Sequence, residues 1–356
     1  MNTPSDIHLN LRDIQGNILR AYRHPFAAYL FLQFPSATEG RRWLDYLLSE
    51  GITSSEIWEK DLETGRTKKP SVTINCALTF AGLRSLGVAS QRLALLPTAF
   101  QEGMYSRAEQ LGDTGEGARE LWEQGLHDAA IHAMVIVNAE SENARQMKLT
   151  SLHQASKTLG VIEVANVILA DALAEQREHF GFRDGIGQPS IEGGFIDEPG
   201  MGVPQSDGSW RPIKPGEFLL GYIQEREAPP LPHLLVNLCV NGTYVVFRKL
   251  AQDVAAFRTF IKNAAVTAFG NDSQVAQDHV AANLVGRWHS GAPLVLSPSH
   301  DSGIAANDFS YRDDPSGNLC PLGAHIRRTN PRDGLSRDTH VPFHRILRRG
   351  LPYGPP

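Results

Sequence analysis

Cysteine is scarce. Cys76, Cys239 and Cys320 are the three in 356 residues, odd in number and far apart. That excludes a disulfide framework and a cysteine-rich metal site, and makes a reducing cytoplasm the expected compartment. Long apolar runs are missing as well. No stretch approaches the roughly 18 apolar residues of a membrane-spanning helix. The opening MNTPSDIHLNLRDIQGNILRAY has no charged start followed by an apolar run, so no secretory signal is expected. Charge of one sign is lacking too. Lys and Arg number 34 against 39 Asp and Glu, and no basic stripe interleaves with aromatics, so a nucleic-acid partner is not expected. Arg345, Arg348 and Arg349 are too weak a field to change that. No repeat with a period of about 20–50 residues occurs. What is left is a globular chain long enough for two domains of ordinary size.

The first half alternates strand and helix patterns. FAAYLFLQF, Phe26 to Phe34, is a short continuous apolar run and reads as a buried strand. Thr38 to Ser49 has helical spacing, with Trp43, Leu44, Leu47 and Leu48 on one face. Ser71 to Thr79 alternates and reads as a second strand. A short helix and a polar helical region reach about Leu121. Ile131 to Asn138 is a third strand, Ser141 to Thr158 a helix and Val161 to Ala170 a fourth strand. The order β-α-β, β-α-β predicts a ferredoxin-like unit, with four antiparallel strands and helices on one face. A Gly/Pro-rich segment follows, from about Phe180 to Pro215, of the kind that is functional or a linker.

The second half predicts strands at Phe218–Tyr222 and Thr243–Lys249. It predicts helices at Gln252–Phe269, with Val254, Phe257, Phe260 and Ile261 on the apolar face, and at Ser273–Trp288. From Ser290 to Pro356, Gly, Pro, Asp and Arg dominate and strand signals are few. The expected division is an N-terminal ferredoxin-like domain at 1–175, a linker at 176–214 and a C-terminal domain at 215–356.

Three segments carry candidate chemistry. His325 lies in CPLGAHIRRTNPR, between small residues and three arginines, and arginines beside a His suit a dianionic cofactor because guanidinium groups pair with carboxylates. The plain alternative is an Arg-rich surface loop. Asp184 lies in GFRDG, where glycines let the backbone approach a flat ligand. The plain alternative is an Asp-Gly turn. Arg348 lies in RILRRGLPYG. It is either surface charge or a permanent cation placed to stabilise a developing oxyanion.

With DIQGNIL at Asp13–Leu19, PGEFLLGY at Pro215–Tyr222, NGTYVVFRKL at Asn241–Leu250, GRWHSGAPL at Gly286–Leu294 and NDFSY at Asn307–Tyr311, the chain resembles the dye-decolorizing peroxidases nearly end to end. Each segment is moderately specific, and their shared order is very specific. The resemblance implies an α+β fold of two ferredoxin-like domains, of the dimeric α+β barrel type, with haem b in the second. It implies His325 as the proximal iron ligand, Asp184 as the distal acid–base residue and Arg348 as the distal arginine. Gly185 would allow close approach to haem, and Arg327 would pair with a propionate. His289, His340 and His344 are the alternative ligands.

The implied reaction reduces hydrogen peroxide and oxidises a dye, phenol or other small reductant by one-electron steps through a ferryl intermediate. An Asp base implies an acidic optimum. Bulky dyes would react through surface radicals. Trp43, Trp58, Trp122, Trp210 and Trp288 are expected mostly in cores or interfaces, and none is singled out. No membrane partner is expected, and a homo-oligomer is compatible with the sequence. Family members usually continue past the point matching Pro356, with strand and helix that complete the second sheet and an acid that receives the proximal His N–H. This sets up a second expectation: an incomplete second domain and a haem-binding but catalytically weak chain.

Overall fold

The structure, a computed structural model, describes residues 8–60, 64–65, 67–126, 131–196, 198–225 and 229–333. A short helix, α1 (Gly16–Leu19), leads into β1 (Phe26–Gln33). Ser36 then starts α2 (Ala37–Ser49), its hydroxyl accepting the Thr38 N–H at 3.1 Å. After β2 (Val72–Leu78) come three short helices, α3 (Phe80–Ser85), α4 (Ser90–Leu93) and α5 (Thr98–Ser106). β3 (Ala133–Ala139) and α6 (Glu142–Leu159) follow. Two short strands, β4 (Ile162–Glu163) and β5 (Ile168–Asp171), both pair with β1. The sheet is antiparallel, in the order β2-β3-β1-β4, which is the ferredoxin-like arrangement.

Period-2 alternation puts apolar side chains on both faces of this sheet. On one face Leu30, Leu32, Ile74 and Val135 pack against Trp43 and Leu47 of α2 and Leu149 and Leu152 of α6. On the other, Phe31 and Met134 join Tyr29, Ile136, Ile168 and, from far along the chain, Phe247. Phe247 lies 5.0 Å from the Tyr29 ring and 5.2 Å from the Phe31 ring. Leu48, expected on the buried face of α2, is 68 % exposed; Trp43, Leu44 and Leu47 already fill the seam.

The second half holds a two-stranded ribbon, β6 (Val203–Pro204) with β7 (Trp210–Arg211). Helices α7 (Val236–Cys239), α8 (Val254–Phe269) and α9 (Gln274–Val285) follow, then α10 (His325–Thr329). Asp253 caps α8 through the Ala256 N–H, and Ser273 caps α9 through that of Ala276. Gly270 and Gly286 end these helices in the left-handed region, at φ 72° and 89°. Mixed helices and antiparallel sheets place the chain in the α+β class.

Two expected strands are not strands. At Phe218–Tyr222 the chain curls after Pro215, and the Gly216 N–H reaches the Ile223 carbonyl at 2.9 Å. This turns Phe218 and Leu219 into a core with Ile14, Ile191 and Ile213. Thr243–Lys249 alternates as a strand does, but nothing among the described residues pairs with it, and Tyr244, Val245 and Val246 are exposed. Phe260 of α8 is likewise 55 % exposed; Ile261 and Ala265 make the buried stripe.

Candidate functional site

The Asp184 loop is a strapped turn. Gly181 and Gly185 have φ of 99° and 68°, so the glycines of GFRDG are backbone requirements. Glu178 is the strap. Its carboxylate accepts the N–H groups of Phe180 (2.9 Å) and Phe182 (2.8 Å) and the Gln252 side chain (2.7 Å). Asp184 donates its N–H to the Gln176 carbonyl at 2.8 Å and accepts the Gly185 N–H at 2.6 Å through its own carboxylate. Phe180 stacks on Phe257 of α8 at 4.3 Å, and Phe182 stacks on His289 at 4.2 Å. Asp184 is held half-buried on this hydrogen-bonded mount.

His289, an alternative ligand from sequence, belongs to that mount. Besides the stacking, its carbonyl accepts the Arg183 N–H at 3.0 Å and an Arg177 guanidinium N–H at 3.1 Å. Its Nε2 is 3.8 Å from the Asp278 carboxylate.

His325 is the first residue of α10 and is exposed. Its imidazole has no hydrogen-bond partner among the described residues, while its carbonyl accepts the Thr329 hydroxyl at 3.0 Å. Earlier in the same loop, Asp314 is buried. The Asp314 carboxylate accepts the N–H groups of Leu319 (3.1 Å) and Cys320 (2.9 Å) and the Arg327 guanidinium (2.8 Å). Burial alone would raise its pKa; these hydrogen bonds outweigh it and hold the carboxyl below its usual range. Arg327 also donates to the Cys320 and Asp314 carbonyls and lies over the Tyr311 ring at 4.4 Å.

Arg327, expected from sequence to face a propionate, is placed inside this knot. Its side chain is 4 % exposed and its described bonds end on protein. Arg348, His340 and His344 lie outside the described residues.

No bond joins Asp184 to His325. What they share is support. Phe182 belongs to a cluster with Ala281 of α9, and Ile326 to one with Ala282, the next residue. Asn307 bridges further: its amide donates to the Ile186 carbonyl at 3.0 Å and accepts Arg287 at 2.8 Å. Arg332 donates to the carbonyls of Asn307 and Phe309, both at 2.8 Å, and stacks on Phe309 at 3.8 Å. Burial pushes both Arg287 and Arg332 down to about 10. GRWHSGAPL and NDFSY thus brace the two site loops against each other. Glu178, Asn307 and Asp314 were not found from sequence. Glu178 lies just before GFRDG, but nothing local marks a carboxylate that will bind backbone N–H groups.

Comparisons with known proteins bear on the fold and the family. The family model described as the DyP dimeric alpha+beta barrel domain matches residues 13–168. A multifunctional dye peroxidase of Amycolatopsis sp. is 32% identical, over 97% of this chain and 71% of its own length. Peroxidase 2 of Mycetinis scorodonius is 32% identical over 99% of this chain, which spans 65% of that relative's length. Among solved structures, an ancestral D-type dye decolorizing peroxidase superposes with a TM-score of 0.80 at 30% identity, covering 98% of this chain and 76% of its own. A dye-decolorizing peroxidase in complex with 2,6-dimethoxyphenol gives 0.75 at 27%, covering 91% and 71%. With this sheet order and a relative 32% identical over 97% of this chain and 71% of its own length, the chain belongs to the dye-decolorizing peroxidase family.

Proposed function

We propose that the chain is a haem-dependent peroxidase that reduces hydrogen peroxide and oxidises dyes, phenols or similar small reductants in one-electron steps. One observation carries the reading: an imidazole with no hydrogen-bond partner among the described residues and a carboxylate on a glycine-framed loop are on segments that pack against the same helix, α9. The donor set suits haem. Among the described residues no three His, Cys, Asp or Glu side chains converge to hold a bare ion. A porphyrin would bring its own nitrogens to the iron, so a single protein imidazole, that of His325, would be enough to hold it.

His325 would hold the iron, and Gly185, without a side chain, would admit the macrocycle beside Asp184. Arg327, enclosed by Asp314, would serve through the His325 helix rather than by touching a propionate. Bound haem supplies the electrons that cleave the peroxide bond. Asp184 takes the proton from one peroxide oxygen and returns it to the other, so that water leaves. The strap from Glu178 keeps that carboxylate in place while its charge changes. Arg348 would supply a fixed positive charge to the same proton transfer.

The domain division at 1–175, 176–214 and 215–356 goes with this reading, the last unit holding the cofactor. The test is a haem titration of the chain followed by absorption spectroscopy, with and without one equivalent of peroxide. A Soret band that forms, changes on peroxide addition and is lost in His325→Ala supports the proposal. An unchanged band in His325→Ala moves the iron ligand elsewhere.

A further inference from the structure

The five residues of α10 are too few to form a helix on their own, because nucleation costs more than one turn returns. Its N-cap is Ala324, which has no side chain to accept an N–H. Something else must fix the backbone that carries His325. The bond pattern names it. Asp314 and Arg327 close a loop on one another, their side chains 2 % and 4 % exposed. The Asp314 carboxylate takes both N–H groups of Leu319 and Cys320, and Arg327 takes the Cys320 and Asp314 carbonyls. Every segment entering and leaving His325 passes through this knot. His325 itself has no side-chain hydrogen bond among the described residues, so among them its ring direction is set through its backbone.

We infer that Asp314 and Arg327 are a positioning pair for His325, a buried clamp that sets the direction in which its imidazole is presented. The inference rests on His325 being the iron ligand. A fork-shaped guanidinium is required, because it must satisfy a carboxylate and two carbonyls at once; an ammonium cannot span them. The neighbouring Arg328 is exposed and provides a charge-matched control.

The experiment compares Arg327→Lys, Asp314→Asn and Arg328→Lys in the full chain. Circular dichroism and amide hydrogen exchange are recorded without haem; haem affinity and the ferric Soret band are recorded with it. Both clamp variants should keep their fold, exchange faster at Leu319 and Cys320, and bind haem at least tenfold more weakly with a heterogeneous Soret band. Added imidazole should restore a single band, and Arg328→Lys should behave as wild type. Folded clamp variants with wild-type affinity and Soret band overturn the inference. So does loss of fold in both variants, which would make the pair purely structural. His325→Ala separates the two layers: an unchanged spectrum there strikes the ligand assignment itself, whereas a changed one beside unaffected clamp variants strikes only the clamp.

Discussion

Replacing Asp184 with Asn keeps the shape of the side chain and removes its ability to carry a proton. The backbone bonds to Gln176 and the Glu178 strap are untouched, so the loop should keep its form. Peroxide-driven turnover is expected to fall by about 10²–10⁴-fold, the range for losing a general acid–base group, with haem binding unchanged. Turnover within a factor of two of wild type would remove Asp184 from the reaction.

A second residue sets an acid limit on stability. His24 is buried, and its Nε2 has no partner among the described residues. Desolvation, then the nearby Lys69 charge, lowers its pKa from 6.5 to about 4. The unfolded chain therefore takes up a proton where the folded chain does not. Stability is whole above about pH 6.5, declines as pH falls toward about 4, and levels off below that. Urea midpoints at neutral and acid pH should converge in His24→Gln; a variant with the wild-type pH slope would refute this.

Helix ends offer a sharper comparison at the scale of elements. Gly270 and Gly286 both sit in the left-handed region, where a side chain costs about 1–2 kcal/mol. A Cβ at Gly270 meets open space. At Gly286 it would stand 2.5 Å from Cγ1 of Ile326 and 3.2 Å from the Cys320 sulfur. Gly286→Ala should thus lower the thermal midpoint clearly more than Gly270→Ala, and should also disturb α10. Equal losses would mean that the α9–α10 contact is loose. The helices at Gln252–Phe269 and Ser273–Trp288 were legible in sequence, as were the four-strand order and the glycines around Asp184, because each is a local pattern. The strands expected at Phe218 and Thr243 were not reliable, since alternation records which sides are apolar and says nothing of a hydrogen-bonded neighbour. The braces at the site were invisible for a similar reason. Asn307 meets Ile186 across 121 residues, and Asp314 meets Arg327 only after the chain has looped.

At the scale of the whole molecule, the first sheet has two apolar faces, and only one is covered by its own helices. Phe247 helps to cover the other, with Arg248 bonded to Asp113 and Lys249 to Glu123, both within the insertion between β2 and β3. Phe247→Ala should destabilise the chain by roughly 2 kcal/mol, less than the 3–5 of a fully buried Phe, and the loss should appear in the melting of the first sheet. A melt of that sheet unaffected by the change would show the contact to be incidental.

The same contact restricts how such a chain can be recombined. A chimera joined just after Asp171 would inherit its sheet from one relative and its Phe247 from another. Tyr29 and Phe31 would then have to fit a ring they were not selected beside. Crossovers that keep β1 and the Asn241–Leu250 segment from the same parent should survive more often than those that divide them. The unit of inheritance in this fold is then a pair of segments more than two hundred positions apart, rather than either half of the chain.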